Sequence, residues 1–161
     1  MALEIERKFL IKKIPQDLEQ FPHKKIIQWY FNDPSTGKSI RIRKIDNEYV
    51  VTRKKWQGIV RNEVEVQLSK EEFDDMWMNV ETRFLEKTRY YIPYEGHTIE
   101  LDVYKDLHWL MTAEVEFAIK RDAKQFIVPE RFDEELSMVR EATNAYIANH
   151  WLCEKLMSMI Q

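Results

Sequence analysis

The chain begins with alternating charged residues of the types that bind metals and anions. In LEIERKFLI, residues 3–11, Glu4, Glu6 and Lys8 alternate with mostly apolar positions. In a β-strand this spacing places two carboxylates and an ammonium group on one face and mostly apolar side chains on the other. A strand whose polar face simply meets water has the same pattern, and for one segment alone that simpler interpretation is favoured.

The same alternation recurs along the chain and predicts a mainly antiparallel sheet or barrel. Ser69 and Glu72, at capping-box spacing, begin a predicted amphipathic helix over 69–80, and an apolar stripe predicts a longer helix from about 140 to 160. Shorter helical turns are expected near 15–20 and 121–126. The apolar strand faces, including Val64 and Val66, are expected to form a core with these helices packed on the outside, in a single domain of residues 1–161. The strand-like segments are 3–11, 26–31, 38–45, 48–55, 60–68, 84–93, 98–105 and 111–120.

The charged strand faces are left together by this arrangement. In an open sheet they would be solvated. In a closed one they would line a cavity, at a desolvation cost of several kcal/mol per ion, and a cost of that size requires a ligand or a function. The carboxylates concerned are Glu4, Glu6, Glu63, Glu65, Glu100, Asp102, Glu114 and Glu116, and the cations are Lys8, Arg41, Arg43, Lys54, Arg61, Lys87 and Arg89.

A metal-bound linear polyphosphate would satisfy both sets of charges. Clustered carboxylates suit a hard divalent cation such as Mg²⁺ or Mn²⁺, whereas guanidinium and ammonium groups suit phosphate oxygens. The three glycines, Gly37, Gly58 and Gly96, lie in turn-like contexts between strands, and none is left for a glycine-rich phosphate loop. Any phosphate must therefore be bound by side chains.

These segments also resemble a known family. EIERKFL resembles the Glu-x-Glu-x-Lys signature of the CYTH superfamily, the triphosphate tunnel metalloenzymes. The later IRIR, TRK, RNEVEV, EKTRYY, ELDVY and AEVEF resemble the remaining strands of that family in the same order, from residue 3 to roughly 150. The triplet alone is weak because it occurs by chance, but the ordered set is specific. The resemblance implies an eight-stranded antiparallel tunnel that binds a triphosphate with a divalent metal and, in most members, hydrolyses or rearranges it.

The resemblance also implies roles for individual residues. Glu4, Glu6, Glu114 and Glu116 are expected to bind metal, and Glu63, Glu65 and Asp102 to hold a second metal, orient water or support the ligands. Phosphate is expected to be bound by the cations, namely Lys8, Arg41, Arg43, Lys54, Arg61, Lys87 and Arg89. The C-terminal SMVREATNAYIANH departs from the more basic RYRN-like stretch of related sequences, and only Arg140 and Asn144 partly match it.

Two catalytic candidates emerge from the strand patterns. Lys87, flanked by Arg89, is expected to have a depressed pKa and to act as general base with Tyr30, although a metal-bound hydroxide would serve as well. Tyr30 shares its strand parity with Gln28 and faces the tunnel only if that face is the inner one; packing at a strand edge is an equal alternative. The four histidines, at 23, 97, 108 and 150, have no metal-site spacing and are expected to be surface or partly packed residues and not ligands.

The preferred function is a metal-dependent hydrolysis of inorganic tripolyphosphate to pyrophosphate and phosphate, because the chain is short and has no evident pocket for a nucleobase or thiamine. The alternatives are a class IV adenylate cyclase, a thiamine- or nucleoside-triphosphatase, and a polyphosphate-binding module without turnover. The large set of inward carboxylates argues against the last of these, because anion binding alone has little need for them.

Composition restricts the location and the partners. The net charge of −3 gives no overall attraction to nucleic acid or to an anionic membrane. No apolar run has the length of a signal peptide or a membrane span, so a cytoplasmic location is expected. The one cysteine, Cys153, is expected to be a small buried apolar group in a reducing compartment. The expected partner is a small-molecule triphosphate, with a homodimer left open.

Overall fold

The computed structural model describes residues 2–33, 38–57, 60–78, 84–107 and 110–160, and the side chains of 2–4, 32–33, 38–39, 54–57 and 60–62 lie outside this description. The strands are β1 Ala2–Ile11, β2 His23–Asp33, β3 Lys38–Ile45, β4 Glu48–Gln57, β5 Val60–Leu68, β6 Leu85–Tyr94, β7 His97–Tyr104, β8 Met111–Phe117 and β9 Phe132–Glu135. The helices are α1 Lys70–Met78, α2 Lys120–Gln125, α3 Asn144–His150 and α4 Glu154–Ile160, with short 3-10 helices at Leu18–Gln20 and Arg140–Ala142.

The strands in the described ranges pair antiparallel and follow the order β5-β4-β3-β2-β6-β7-β8-β1-β9. The first half of β1 also pairs with β5, from Ala2 opposite Glu63 to Ile5 opposite Val60. This pairing joins the two ends of the eight-stranded sheet, so that one face of each strand points inward. The fold is therefore mainly β, as the alternation predicts.

The outer face carries the apolar residues of the alternating pattern. One apolar cluster includes Ile5, Phe9, Leu101 and Val115 and is covered by α2 through Ala123. A second cluster forms where α1 covers the other side of the sheet. There Phe73 packs edge-on against Trp29 with ring centroids 5.2 Å apart, and both side chains are buried together with Ile42. These two helices lie on the outside, as expected.

The helix predicted over about 140–160 is interrupted. A 3-10 turn, α3 and α4 replace it, and α3 ends where Trp151 adopts a left-handed φ of 62°. The predicted apolar stripe still joins an apolar cluster with the inward-facing Tyr30 and Tyr104. Ala148 and Leu156 are buried there, and Ala145, Leu152 and Met159 are partly buried. The single-helix prediction was wrong because the left-handed backbone at Trp151 ends α3 and turns the chain before α4 begins. Cys153 is only partly buried at this cluster and is free.

Strand β9 was not predicted. It pairs with the second half of β1, beyond the residues that pair with β5, and Phe132 packs against the ring of Phe9 at 5.1 Å. The backbone N–H of Leu136 then donates to the Lys8 carbonyl at 2.7 Å. This strand directs the following residues, 136–145, across the inner side of the barrel.

Two apolar residues assigned to the core are exposed. Val64 is 40 % and Val66 53 % exposed on the outer face of β5. The described part of α1 packs on the buried Ile42, in a cluster that includes neither valine. Among the described residues, no helix is both long and apolar enough to cross a membrane.

Candidate active site

The charged strand faces meet in one cavity of about 260 Å³ inside the barrel. It lies between the inner faces of the strands and the segment 136–145, which closes one side. The mixture of signs is the one that the alternating pattern predicts. The charged residues that line it are Glu6, Lys8, Arg41, Arg43, Glu63, Glu65, Arg89, Glu100, Glu114 and Glu116.

Arg89 on β6 is bound to three carboxylates. Its guanidinium donates to Asp102 at 2.7 and 2.8 Å, to Glu114 at 2.9 Å and to Glu100. Burial alone would lower the pKa of Arg89, but these carboxylates outweigh burial and raise the pKa well above its ordinary value. The arginine is thus a permanent cation on the cavity wall.

Lys87 and Asp102 form a buried ion pair behind this wall. Their Nζ and Oδ2 atoms are 2.5 Å apart, and the two side chains are 2 % and 0 % exposed. Neither belongs to the described residues that line the cavity. Burial, and then the neighbouring Arg89, lowers the pKa of Lys87 to about 8. The depressed pKa agrees with the expectation, although burial is a larger cause than the neighbouring cation.

Lys8 and Glu114 form a second ion pair, with Nζ and Oε1 3.0 Å apart. They are direct partners on the adjacent strands β1 and β8. Burial would raise the pKa of Glu114, but Lys8, Arg89 and Lys87 together hold it well below its ordinary value. The pKa of Asp102 is also lowered, because Arg89 and Lys87 outweigh its burial.

The opposite wall carries Arg41 and Arg43 on β3. Arg43 contacts Glu65 at 2.5 Å and Thr52 at 3.2 Å, whereas Arg41 lies 3.8 Å from Glu63. Burial, followed by the charge of Arg41, lowers the pKa of Arg43 to about 10. The Nε atoms of both arginines are buried without a hydrogen-bond partner in the described part of the chain. Buried donors in native proteins almost always have an acceptor, so water or an anion in the cavity is expected to accept from them.

Tyr30 and Gln28 face inward, which decides the question left open by the sequence. Gln28 Nε2 donates to the Tyr30 hydroxyl at 3.2 Å, and Tyr30 lines the cavity. Burial raises the pKa of Tyr30, although Arg41 and Lys8 oppose this shift. The phenol therefore remains protonated at neutral pH.

The donor chemistry of the adjoining strands β1, β8 and β7 fits a hard divalent cation. Glu6 and Glu116 are direct strand partners, as are Glu114 and Glu100, and all four line the cavity. Their carboxylate oxygens are the ligands that Mg²⁺ and Mn²⁺ prefer. Within the described ranges no three acidic, histidine or cysteine side chains converge into a ready metal site. The side chain of the expected ligand Glu4 is not among those described.

Lys54 and Arg61 likewise have side chains outside the description. Their backbones lie in β4 and β5, where Lys54 pairs with Glu63 and Arg61 pairs with Glu4. By the alternation of a strand, both residues therefore occupy positions of the inner face.

Several residues at the cavity were missed by the sequence interpretation. Tyr91 alternates with Lys87 and Arg89 on β6, so its parity was a usable signal. No local pattern predicted that residues after β9 would line the cavity, although Asn144 partly matches the C-terminal stretch of related sequences. The cavity-lining residues of that segment are Leu136, Ser137, Val139, Ala142, Thr143, Asn144 and Ala145.

The described histidines have structural environments away from the cavity. His23 lies against Tyr90 and His97 against Phe117, each with ring centroids 5.0 Å apart. His150 stacks on Tyr146 at 4.2 Å. Position 108 lies outside the described residues.

The arrangement defines a class of protein. The CYTH domain model matches residues 2–146, and the chain belongs to this family. An inorganic triphosphatase of Nitrosomonas europaea is 37 % identical over 149 residues, which cover 90 % of this chain and 96 % of the relative. A crystal structure of an inorganic triphosphatase matches with a TM-score of 0.68 and 34 % identity, covering 92 % of this chain and 95 % of the other. A putative adenylate cyclase from Bacillus halodurans shares the fold, with a TM-score of 0.59, 20 % identity and coverage of 78 % and 87 %.

The lowered pKa values of Asp102 and Glu114 lead to an acid-stability prediction. A carboxyl whose pKa is lower when folded contributes stability above its unfolded pKa, here 3.8 and 4.5, and that stability is lost as the pH falls further. We expect the free energy of unfolding to decrease below pH 4.5, with a shallower decrease in Glu114→Gln. Urea unfolding at several pH values measures both. Glu134→Gln, which alters an exposed carboxyl, should follow the wild type; equal slopes in all three proteins would contradict the assignment.

Proposed function

We propose that the chain hydrolyses inorganic triphosphate to pyrophosphate and phosphate with the help of Mg²⁺ or Mn²⁺. The observation that carries this proposal is the pair of buried, unpartnered Nε donors of Arg41 and Arg43 in a cavity that Lys8 and Arg89 also line. A bound anion would satisfy these donors, and the carboxylates on the facing strands suit its counter-cation. The name of the 37 % identical relative supports the same substrate.

The cationic side chains are proposed to bind the phosphate oxygens. Arg41 and Arg43 approach from β3, and Lys8 and Arg89 from the opposite wall. Their charge neutralises the phosphoryl groups and favours attack of water in line with the departing pyrophosphate. Lys54 and Arg61 are proposed to add to this set, because they share its strand parity.

The carboxylates of Glu6, Glu114 and Glu116 are proposed to hold the divalent metal together with Glu4. When bound, the metal supplies charge neutralisation at the phosphate oxygens. Glu63 and Glu65, which face Arg41 and Arg43 across the sheet, are proposed to orient those guanidinium groups or a second cation. Asp102, being fully buried against Lys87 and Arg89, is proposed to hold these two cations in place.

Lys87 and Tyr30 are proposed to handle the proton of the attacking water. At a pKa of about 8 a substantial fraction of Lys87 is neutral near that pH and can accept a proton. Tyr30 lines the cavity with its phenol protonated, whereas Lys87 does not line it. The phenol is therefore proposed to relay the proton from water to the lysine. As the water loses this proton, its oxygen forms a bond to the terminal phosphorus. The bond between that phosphorus and the bridging oxygen breaks, and pyrophosphate leaves.

A substrate panel tests the function. Tripolyphosphate, pyrophosphate, ATP and thiamine triphosphate are each incubated with Mg²⁺ or Mn²⁺, and phosphate release and cyclic AMP are measured. We expect tripolyphosphate to have the highest kcat/KM and EDTA to abolish turnover, with added metal restoring it. Cyclic AMP formation from ATP would support the cyclase alternative, and hydrolysis unaffected by EDTA would contradict the metal requirement.

We also propose a cytoplasmic location, which the free thiol of Cys153 supports because free thiols persist in reducing compartments. A homodimer and the absence of nucleic-acid or membrane partners remain predictions from the sequence.

A further inference from the structure

Tyr104 connects the barrel wall to the C-terminal segment. It pairs with Lys87 across β6 and β7, and its ring centroid lies 5.5 Å from Lys87 Nζ. Its hydroxyl donates a hydrogen bond to Asn144 Oδ1, the side-chain oxygen of the first residue of α3. Because Tyr104 is only 4 % exposed, water does not compete effectively for this bond. The carboxamide oxygen of Asn144 is therefore held towards the barrel wall.

The nitrogen end of the same carboxamide has no hydrogen-bond acceptor among the described residues. Asn144 lines the cavity. A carboxamide whose oxygen is engaged still offers two N–H donors. Asn149, on the same helix, differs in this respect: it is exposed, and its Nδ2 donates to the Ala145 carbonyl at 2.7 Å.

The charged donors of β1 and β6 are already engaged with carboxylates, whereas Arg41 and Arg43 on β3 keep unpartnered Nε donors. Lys8 binds Glu114, and Arg89 binds Asp102, Glu100 and Glu114. A neutral amide can donate to a phosphate oxygen without first leaving a carboxylate and without adding repulsion among these cations. Asn144 thus supplies a kind of donor that the charged walls do not.

We propose that Asn144, positioned by Tyr104, is a substrate-binding residue whose amide N–H groups donate to phosphate oxygens of the bound triphosphate. It acts from the side of the cavity that segment 136–145 closes. This inference rests on the proposed function, and it assigns a role to the region where the sequence departs from the basic stretch of related proteins.

Three substitutions distinguish the role of the Asn144 amide N–H donors from that of the Tyr104 hydroxyl that positions them. Asn144→Ala removes the donors, and Asn144→Asp keeps an acceptor for Tyr104 while replacing the donors with a carboxylate. A hydrogen bond to a charged group contributes enough that we expect KM for tripolyphosphate to rise about tenfold or more in both, with kcat within about threefold. Tyr104→Phe keeps the ring beside Lys87 and removes only the anchoring hydroxyl, so a smaller rise in KM is expected. Asn149→Asp makes the same chemical change outside the cavity and should leave KM unchanged.

Calorimetry of tripolyphosphate binding without metal, measured beside the kinetics, distinguishes failure of the Asn144 role from failure of the proposed function. If the wild type hydrolyses tripolyphosphate and both Asn144 variants keep its KM and affinity, the role of Asn144 is overturned and the function stands. If the wild type binds without hydrolysis, the function fails, and the affinities of the variants decide the role of Asn144. If the wild type does not bind, both are overturned. Should Asn144→Asp fail to fold, as judged by thermal melting, Asn144→Ala and Tyr104→Phe provide the same comparison.

Discussion

Replacement of Arg89 by alanine is expected to destabilise the protein by about 3–5 kcal/mol, because it leaves buried carboxylates without their main cation. Arg89 contacts Asp102, which is fully buried, and also Glu100 and Glu114. After its removal, Lys87 remains beside Asp102 and Lys8 beside Glu114. Among the described residues, neither of these lysines forms a hydrogen bond or an ion pair with Glu100. The free energy of unfolding in urea at neutral pH measures the effect.

Arg7→Ala is the matched control. Arg7 also makes a two-bond contact with a carboxylate, at 2.9 and 2.7 Å to Glu135, but on the outer face, with the two side chains 22 % and 40 % exposed. Ion pairs in contact with water contribute about 0–1 kcal/mol. An equal loss of stability in both variants would show that burial inside the barrel does not distinguish the two arginines, contrary to the structure.

The strands and the direction of their side chains could be predicted because both depend on local alternation. Ile42 and Arg43, or Val115 and Glu114, take opposite faces as a period of two requires. Alternation alone left open whether the sheet closes. That depends on the pairing of Ala2–Ile5 with β5, a contact between residues about 60 positions apart for which no local pattern exists.

The C-terminal third was predicted less well for the same reason. Ala148 and Leu156 of the predicted apolar stripe are buried as expected, but Tyr30 and Tyr104 in the same apolar cluster belong to the charged inner face. The interruption at Trp151 has no glycine or proline to mark it. Residues 136–145 reach the cavity only because the short β9 pairs with β1, and a four-residue strand carries too little alternation to recognise.

Within the candidate site, the types of residue on each strand face could be predicted, but not how deeply each side chain is buried relative to the cavity. Lys87, Arg89 and Tyr91 share one strand face, yet Lys87 is sealed behind the wall whereas the other two line the cavity. The difference arises from Tyr104, which packs beside Lys87 from the neighbouring strand. Such layering depends on barrel curvature and on side chains from several strands, neither of which appears in the spacing of a single segment.

The largest loss of activity is expected from Glu6→Gln. Glu6 lines the cavity opposite its strand partner Glu116 and takes no part in the apolar clusters. The substitution preserves shape and removes a negative oxygen ligand. Loss of residues that merely support metal ligands already costs about 10–100-fold, so we expect kcat/KM for tripolyphosphate to fall by at least about 100-fold. The free energy of unfolding should change by no more than about 1 kcal/mol.

Binding of Mn²⁺ alone, measured by calorimetry without substrate, separates a ligand role from a role towards phosphate. We expect weaker Mn²⁺ binding in Glu6→Gln than in the wild type. Glu86→Gln is the control, because Glu86 accepts from Lys105 at 2.9 Å away from the cavity, and it should retain both activity and metal affinity. A Glu6→Gln protein that loses turnover but binds Mn²⁺ as the wild type does would remove Glu6 from the metal site. Since the carboxylates of β1 and β8 are the basis for placing the cation, that result would move the metal towards Glu63 and Glu65 on β5.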